Sequence, residues 1–138
     1  MLNTYCYSGG FSVYALNNHA AEVVSVDSSK TAMELVAKNI SLNFSTKNIN
    51  HHSFCDDVFH FFKISDLNFD VIILDPPAFA KNIAKRHNAV QAYKRLNAEG
   101  FKRINKGGIL FTFSCSQVVD KELFYATVMS AAIEANRE

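Results

Sequence analysis

Phe69-Asp70-Val71-Ile72-Ile73-Leu74-Asp75-Pro76-Pro77 reads as a strand that stops. Its first six residues are apolar and β-branched enough, and of the right length, for a strand, and the two prolines that follow lack the N–H that a ladder needs. A run as apolar as Val71-Ile72-Ile73-Leu74 fits a strand buried on both faces, in a parallel sheet covered by helices on each side. Parallel neighbours need crossovers, so strands and helices ought to alternate on either side of this run.

They do. Residues 2–6 form a short strand-like segment, then Ser8-Gly9-Gly10 turns into an apolar helical stretch through Leu16. Residues 22–26 are β-branched and end in Asp27, after which Ser28 or Ser29 can cap a helix. Met33, Val36, Ala37 and Ile40 recur at i, i+3, i+4 and i+7, which predicts one buried stripe on that helix, ending near Asn43. A weaker strand precedes Cys55, Asp56 and Asp57, and residues 58–64, with Phe59, Phe61 and Phe62, read as a short helix. Beyond the prolines, Val90, Tyr93, Phe101 and Ile104 predict a helix over residues 88–106, in which Gly100 costs about 1 kcal/mol relative to alanine. Gly107-Gly108 is expected to end it, residues 109–113 form a fifth strand, and Asp120 caps a last helix carrying Leu123, Phe124, Val128 and Ala131. Five strands, each followed by a helix, predict a doubly wound, mainly parallel α/β sheet of the Rossmann-like kind with right-handed crossovers.

At 138 residues the chain fits one domain, residues 1–138, with a single core burying roughly two-thirds of its unfolded surface. Hydrophobic residues at 49% and charged residues at 20% exclude a disordered chain. Cys6, Cys55 and Cys115 show no CxxC spacing, so neither a disulfide framework nor a metal site is indicated, and a reducing compartment is expected. No apolar run approaches the roughly 20 residues needed to span a bilayer, so the sequence reads as cytoplasmic with no membrane partner.

The net charge of +1 conceals an asymmetry. Residues 81–106 carry eight Lys/Arg, including Lys81, Lys85 and Arg86, against one acid, Glu99; the rest of the chain is acidic overall. A basic block that begins just after the Asp75 segment suits an enzyme acting on a polyanion, because Lys/Arg contacts to phosphate supply most sequence-independent affinity for nucleic acid.

In an open parallel sheet, ligands bind outside the carboxyl ends of the strands. Five candidate groups fall there, one at each strand end. Ser8-Gly9-Gly10 follows the first strand, where backbone can approach a ligand without a side chain in the way. Asp27 ends the second and can accept hydrogen bonds from both hydroxyls of a ribose, and Asp56-Asp57 after the third could accept from an adenine amino group. The segment Tyr7-Ser8-Gly9-Gly10-Phe11 lacks the third glycine of a dinucleotide fingerprint, which disfavours a pyrophosphate cofactor. Asp75-Pro76-Pro77-Ala78-Phe79 ends the fourth strand and Ser114-Cys115-Ser116 the fifth, so a carboxylate and a thiol could share one pocket. A free cysteine at a strand end is also an ordinary core residue, and Cys6 and Cys55 are read as structural.

The order Ser8-Gly9-Gly10, Asp27, Asp56, Asp75-Pro76-Pro77-Ala78-Phe79 and Ser114-Cys115-Ser116 resembles the class I S-adenosylmethionine-dependent methyltransferases. More narrowly it resembles the large-subunit ribosomal RNA cytosine-C5 methyltransferases, which pair a YxGGF-like first motif with DPPxF and a strand ending in FSCS. The resemblance implies S-adenosylmethionine as cofactor, with Tyr7, Ser8, Gly9 and Gly10 around its methionine end, Asp27 on its ribose, Asp56 and Asp57 near its adenine, and Asp75 and Pro76 between cofactor and target base. It implies Cys115 as nucleophile, ribosomal RNA as partner, and a chain incomplete at both ends, with two further strands missing after the last helix. Pro77, Phe79, Lys81, Lys85, Arg86 and Tyr93 would then meet the RNA, with Phe79 or Tyr93 stacking on the base.

A thiolate added to cytosine C6 makes C5 nucleophilic, which explains a cysteine at this location. Asp75 would hold the N3/N4 edge, a role served by a buried carboxyl with a raised pKa. Two other readings stay open: methylation of a ring or exocyclic nitrogen without a thiol, and a cofactor-binding fragment without turnover.

Overall fold

The computed structural model describes residues 1–45 and 48–137. Five strands alternate with helices: β1 (Leu2–Thr4), α1 (Gly10–Asn17), β2 (Val23–Asp27), α2 (Lys30–Phe44), β3 (His51–Cys55), α3 (Val58–Ile64), β4 (Phe69–Leu74), α4 (Arg86–Arg103), β5 (Ile104–Thr112) and α5 (Lys121–Glu134). A single 3₁₀ turn, Ile83–Lys85, leads into α4. The strands lie in the order β3-β2-β1-β4-β5, and every pairing is parallel. The doubly wound reading therefore holds, and the run that opened the sequence is an inner strand between β1 and β5.

Burial follows from this order. β1 is completely buried, and β2 and β4 carry Val24, Val26, Ile72 and Leu74 into a core that also takes Phe61 and Phe62 from α3 and Leu96 from α4. β3, at one edge, is largely exposed. Ser29 caps α2 by accepting from Ala32 N–H at 3.2 Å, and Asp57 and Asp120 cap α3 and α5 in the same way at 3.0 and 2.8 Å.

Three details differ from the sequence expectation. Of the stripe on α2, only Val36 is fully buried, and Ala37 is exposed, because the helix rests on the sheet through Ala32, Val36 and Phe44 instead. α4 runs Arg86–Arg103, and Gly107-Gly108 do not end it; they lie inside β5. The strand passes so close to β4 there that a Cβ on Gly108 would sit 2.7 Å from the Asp70 carbonyl oxygen, and the pairing slips between Phe69↔Ile104 and Val71↔Ile109. Gly100, which weakens α4 locally, sits where a Cβ would meet Leu74 and Leu110 at 3.0 and 3.1 Å, so its absence of side chain lets the helix settle on the sheet.

A hydrogen-bonded chain runs under α1. Asn3 Nδ2 donates to Ser12 Oγ at 2.9 Å, Ser12 Oγ meets Ser25 Oγ at 2.7 Å, and Ser25 Oγ meets His51 Nε2 at 2.8 Å. With Asn3 Nδ2 donating, the donors and acceptors along this chain match when Ser12 donates to Ser25, Ser25 donates to His51, and His51 is neutral with Nε2 accepting, while Asn3 Oδ1 stays without a partner among the described residues. Burial, with a smaller contribution from His52, holds the His51 pKa below its ordinary 6.5. The folded state then binds fewer protons than the unfolded one as pH falls below about 6.5, so His51 contributes stability that is present above that value and lost on acidification. Thermal melts between pH 7.5 and 5 are expected to show a steeper loss for the wild type than for His51→Gln; parallel curves would remove the chain as a source of that slope.

Candidate functional site at the carboxyl ends of the strands

The loop from β1 to α1 is shaped by backbone conformations that side chains rarely accept. Tyr5, Tyr7 and Gly9 take φ of 51°, 48° and 78°. Such values are ordinary for glycine, whereas for tyrosine they cost about 1–3 kcal/mol each and persist only where surrounding bonds enforce them. Those bonds are present: Cys6 N–H donates to Val26 O at 3.2 Å and Gly9 N–H to Cys6 O at 2.7 Å, while Asn39 Nδ2 donates to Ser8 O at 2.8 Å.

Asp27 ties this loop to the end of β2. Its Oδ2 accepts from Tyr7 N–H at 3.0 Å and its Oδ1 from Ser29 N–H at 2.9 Å, so the carboxylate is oriented by two backbone donors before any ligand arrives. Asp56 N–H donates to Asp27 O at 3.0 Å and brings the third strand end alongside. Asp56 Oδ1 accepts from Asp57 N–H at 2.8 Å, and its Oδ2 lies 2.7 Å from His60 Nδ1. Asp57 caps α3 by accepting from His60 N–H, so both carboxylates of this pair are engaged at the start of that helix. The sequence carries one signal for this contact, the i+4 spacing of His60 from Asp56.

A cleft of 330 Å³ opens beside the loop, lined by Tyr5, Cys6, Tyr7, Ser8, Gly10, Phe11, Tyr14 and Asp75. Gly10 faces open space there, with nothing within 4 Å of where a Cβ would be. Phe11 and Tyr14 join it from the exposed side of α1, the first directly after the glycines and the second about one turn further on, a contribution hidden in what reads as a plain apolar helix. A larger hollow of 640 Å³ at the other end of the sheet is lined by Leu16, His19, Ile49 and neighbours, with no carboxylate or thiol. Burial, then the nearby Asp27 charge, pushes the Cys6 thiol up to about 12, which suits a structural thiol. Cys55, by contrast, is exposed, so packing does not account for it.

At the fourth and fifth strand ends, Phe113 N–H donates to Leu74 O at 2.9 Å and continues the β4–β5 pairing past its last ladder residues. Cys115 is exposed, with Sγ 3.7 Å from Pro76 O, so the structure does bring the thiol to the Asp75-Pro76 loop and does not pack it in the core. Asp75 is also exposed, so the burial expected of it is not there. Pro76 is buried and Pro77 exposed.

The residues expected to meet RNA divide. Lys81, Lys85 and Arg86 are exposed next to the Pro76-Pro77 loop, with no ion-pair partner among the described residues. The rest of the basic block is largely engaged internally: Lys94 with Glu134 at 3.0 Å, Arg95 over the Phe59 ring at 4.2 Å, Lys102 with Glu99 at 2.8 Å, and Arg103 with Asp66 and the Phe62 carbonyl. Tyr93 is not a platform for a base: it is 0% exposed, packed 4.7 Å from the partly buried Phe79 ring and 5.3 Å from Phe124. Its position on the inward face of α4, where helical spacing alone could not separate core from site, explains the correction.

An all-parallel sheet in this order, with a glycine turn after β1 and carboxylates after β2, β3 and β4, defines a class I methyltransferase fold. The solved structure of a SAM-dependent methyltransferase from Streptococcus mutans superimposes with a TM-score of 0.81 at 25% identity, over 95% of this chain and 34% of that one. A tRNA (uracil-54, C5)-methyltransferase of Pyrococcus abyssi in complex with S-adenosyl-L-homocysteine shares the fold, with a TM-score of 0.57 at 23% identity over 94% and 26% of the two chains. The chain belongs to the family described as Conserved hypothetical protein 95, which it matches over residues 1–119. Among its relatives, the Ribosomal RNA large subunit methyltransferase I of Tolumonas auensis is 43% identical over all of this chain and 35% of its own length. The protein of the same name from Escherichia coli O9:H4 is 38% identical over the same shares. The chain thus spans about a third of the length of the curated relatives it matches. Among the described residues, no helix is long and apolar enough to cross a membrane.

Proposed function

We propose that this chain is the cofactor-binding and catalytic core of an S-adenosylmethionine-dependent methyltransferase acting in the cytoplasm on large-subunit ribosomal RNA, at C5 of a cytosine. The observation that carries the reading is an exposed thiol, Cys115, held 3.7 Å from the carbonyl of Pro76, at the sheet edge where Asp75 lines the cleft beside the β1–α1 loop. The names of the relatives support the RNA substrate.

The residues present fit the cofactor. Gly10 opens a side-chain-free wall on the 330 Å³ cleft, and Asp27 offers a pre-oriented carboxylate for ribose hydroxyls. Tyr7 and Ser8 would flank the methionine end and Asp56 the adenine edge. Bound there, S-adenosylmethionine would supply an electrophilic methyl group on a sulfonium whose leaving group is a neutral thioether.

The chain's own residues do the rest. Cys115, as thiolate, adds to C6 of the cytosine, forming an S–C6 bond and placing the electron pair of the C5–C6 double bond on C5. Asp75 accepts from the N4 amino group and fixes the ring over the cleft. After C5 has gained its methyl group, loss of the C5 proton returns an electron pair to the ring, re-forms the double bond and expels the Cys115 thiolate. Lys81, Lys85 and Arg86 would hold the backbone of a strand whose target base has left its stack, and Pro77 and Phe79 border its entry.

An RNA carrying 5-fluorocytosine tests this, because a C5 fluorine cannot be removed as a proton and the adduct persists. With S-adenosylmethionine present, a covalent complex mapped to Cys115 by peptide mass spectrometry is expected. Nitrogen-methylated product without an adduct would replace this reading by methylation of a ring or exocyclic nitrogen. Calorimetric heat from the cofactor with no RNA binding would reduce the chain to a cofactor-binding module.

A further inference from the structure

The loop after β4 is poor in donors. Pro76 and Pro77 have no N–H, so at these two positions the loop offers the loop after β5 only carbonyl oxygens, which need donors from the β5 side. Two side chains there do so: Cys115 Sγ toward Pro76 O at 3.7 Å, and Ser116 Oγ to Ala80 O at 2.6 Å. The two contacts differ in kind. The thiol is a weak donor on an exposed residue, whereas Ser116 is 4% exposed and its partner Ala80 is 3% exposed. Ala80 packs with Tyr93, Val119 and Phe79, so the Ser116 bond is made where water cannot compete for it. Ser116 is anchored on its own side too: its N–H donates to Ser114 Oγ at 3.3 Å and its carbonyl accepts from Val119 N–H at 3.1 Å.

We propose that Ser116 is the positioning residue that keeps Cys115 in register with the Asp75-Pro76 loop. The proposal rests on the reading of Cys115 as nucleophile and adds what that role demands of its neighbour. A thiol that has lost its proton, or has bonded to C6, has no S–H left to offer Pro76. At that stage the hydrogen bond between Cys115 and the β4 loop is gone, and among the described residues the Ser116–Ala80 bond is the remaining side-chain hydrogen bond between the two loops. The strand pairing at Phe113 ends two residues before the thiol, so it does not fix the Cys115 side chain by itself. This role also gives Tyr93 a purpose in the core: its ring supports Phe79, next to the carbonyl that Ser116 holds.

The test compares the full chain with Ser116→Ala and Ser116→Thr, the second retaining the hydroxyl. Three quantities are read: the rate of Cys115 adduct formation on 5-fluorocytosine RNA, the S-adenosylmethionine dissociation constant, and alkylation of Cys115 by iodoacetamide relative to exposed Cys55. For Ser116→Ala the adduct rate is expected to fall about 10- to 100-fold, the scale of a nucleophile displaced by a fraction of an ångström to an ångström. Cofactor affinity should stay within twofold, the Cys115-to-Cys55 alkylation ratio should change, and Ser116→Thr should restore both rate and ratio. A merely structural serine would lower cofactor affinity and adduct rate together, and that result overturns the proposal. So does an alkylation ratio that Ser116→Ala leaves unchanged. If the wild type forms no adduct at all, the cytosine reading fails by itself, and the alkylation ratio alone decides whether Ser116 holds the thiol.

Discussion

Cys115→Ala is expected to lower methyl transfer to RNA by at least about 10³-fold, while S-adenosylmethionine binds as it does to the wild type. The size follows from what the thiol does: without addition at C6, C5 stays too electron-poor to take a methyl group, and removing a nucleophile from an enzyme that depends on one costs several powers of ten. The side chain is exposed, and alanine leaves no core cavity, so folding should hardly change. Base-resolved methylation together with calorimetry reads both quantities. Undiminished product would mean that the cysteine is a bystander and would move the chemistry to nitrogen, where carbonyl groups of the Asp75-Pro76-Pro77 loop accept from an amino group and no covalent step is required.

Asp27→Ala is expected to weaken the cofactor on the order of 100-fold and to lower the melting temperature as well. Two effects combine. The carboxylate is lost as an acceptor for ribose hydroxyls, and charge-assisted hydrogen bonds of this kind contribute about 1.5–3 kcal/mol each. The variant also strands Tyr7 N–H and Ser29 N–H, which donate to Oδ2 and Oδ1. Tyr7 holds its positive φ only because the loop is tied down, so losing that tie lets the loop relax away from the binding shape. Asp27→Asn separates the two, since the amide keeps one oxygen acceptor but loses the charge. An affinity near wild type for Asp27→Ala, measured by calorimetry, would remove Asp27 from the cofactor site.

Much of the fold was legible because its signals are local. The run at β4 is apolar without alternation and halts at two prolines, and the reading of residues 58–64 as a short helix matches the bounds of α3. Errors came where a local rule met a long-range constraint. Gly107-Gly108 look like a helix stop, yet they sit in β5 because Asp70 O leaves no room for a side chain at Gly108. Tyr93 has the spacing of a residue near the site, yet α4 turns it inward onto Phe79 and Phe124. Asp75 follows a buried strand and was expected to be buried with it, but the chain emerges from the sheet at that residue.

The basic block shows the same division. Its charge is a property of composition and needs no structure to find. Which charges are free depends on partners far along the chain: Glu134 for Lys94, Asp66 for Arg103 and the ring of Phe59 for Arg95, whereas Lys81, Lys85 and Arg86, which follow the Pro76-Pro77 segment in the chain, have no ion-pair partner among the described residues.

By itself the amino-acid sequence determined the alternation of strands and helices, the parallel sheet, and the positions of glycine, carboxylates and thiol at strand ends, because periodicity, proline and glycine act within a few residues. Only the tertiary structure decided which of those groups face one another. Asp27 holds Tyr7 across 20 residues, Cys115 reaches Pro76 across 39, and Ser116 reaches Ala80 across 36. Contacts at such separations are set by strand order and crossover, which bring the carboxyl ends of β1, β2, β4 and β5 to one edge, and no local pattern encodes the distance between two side chains that meet there.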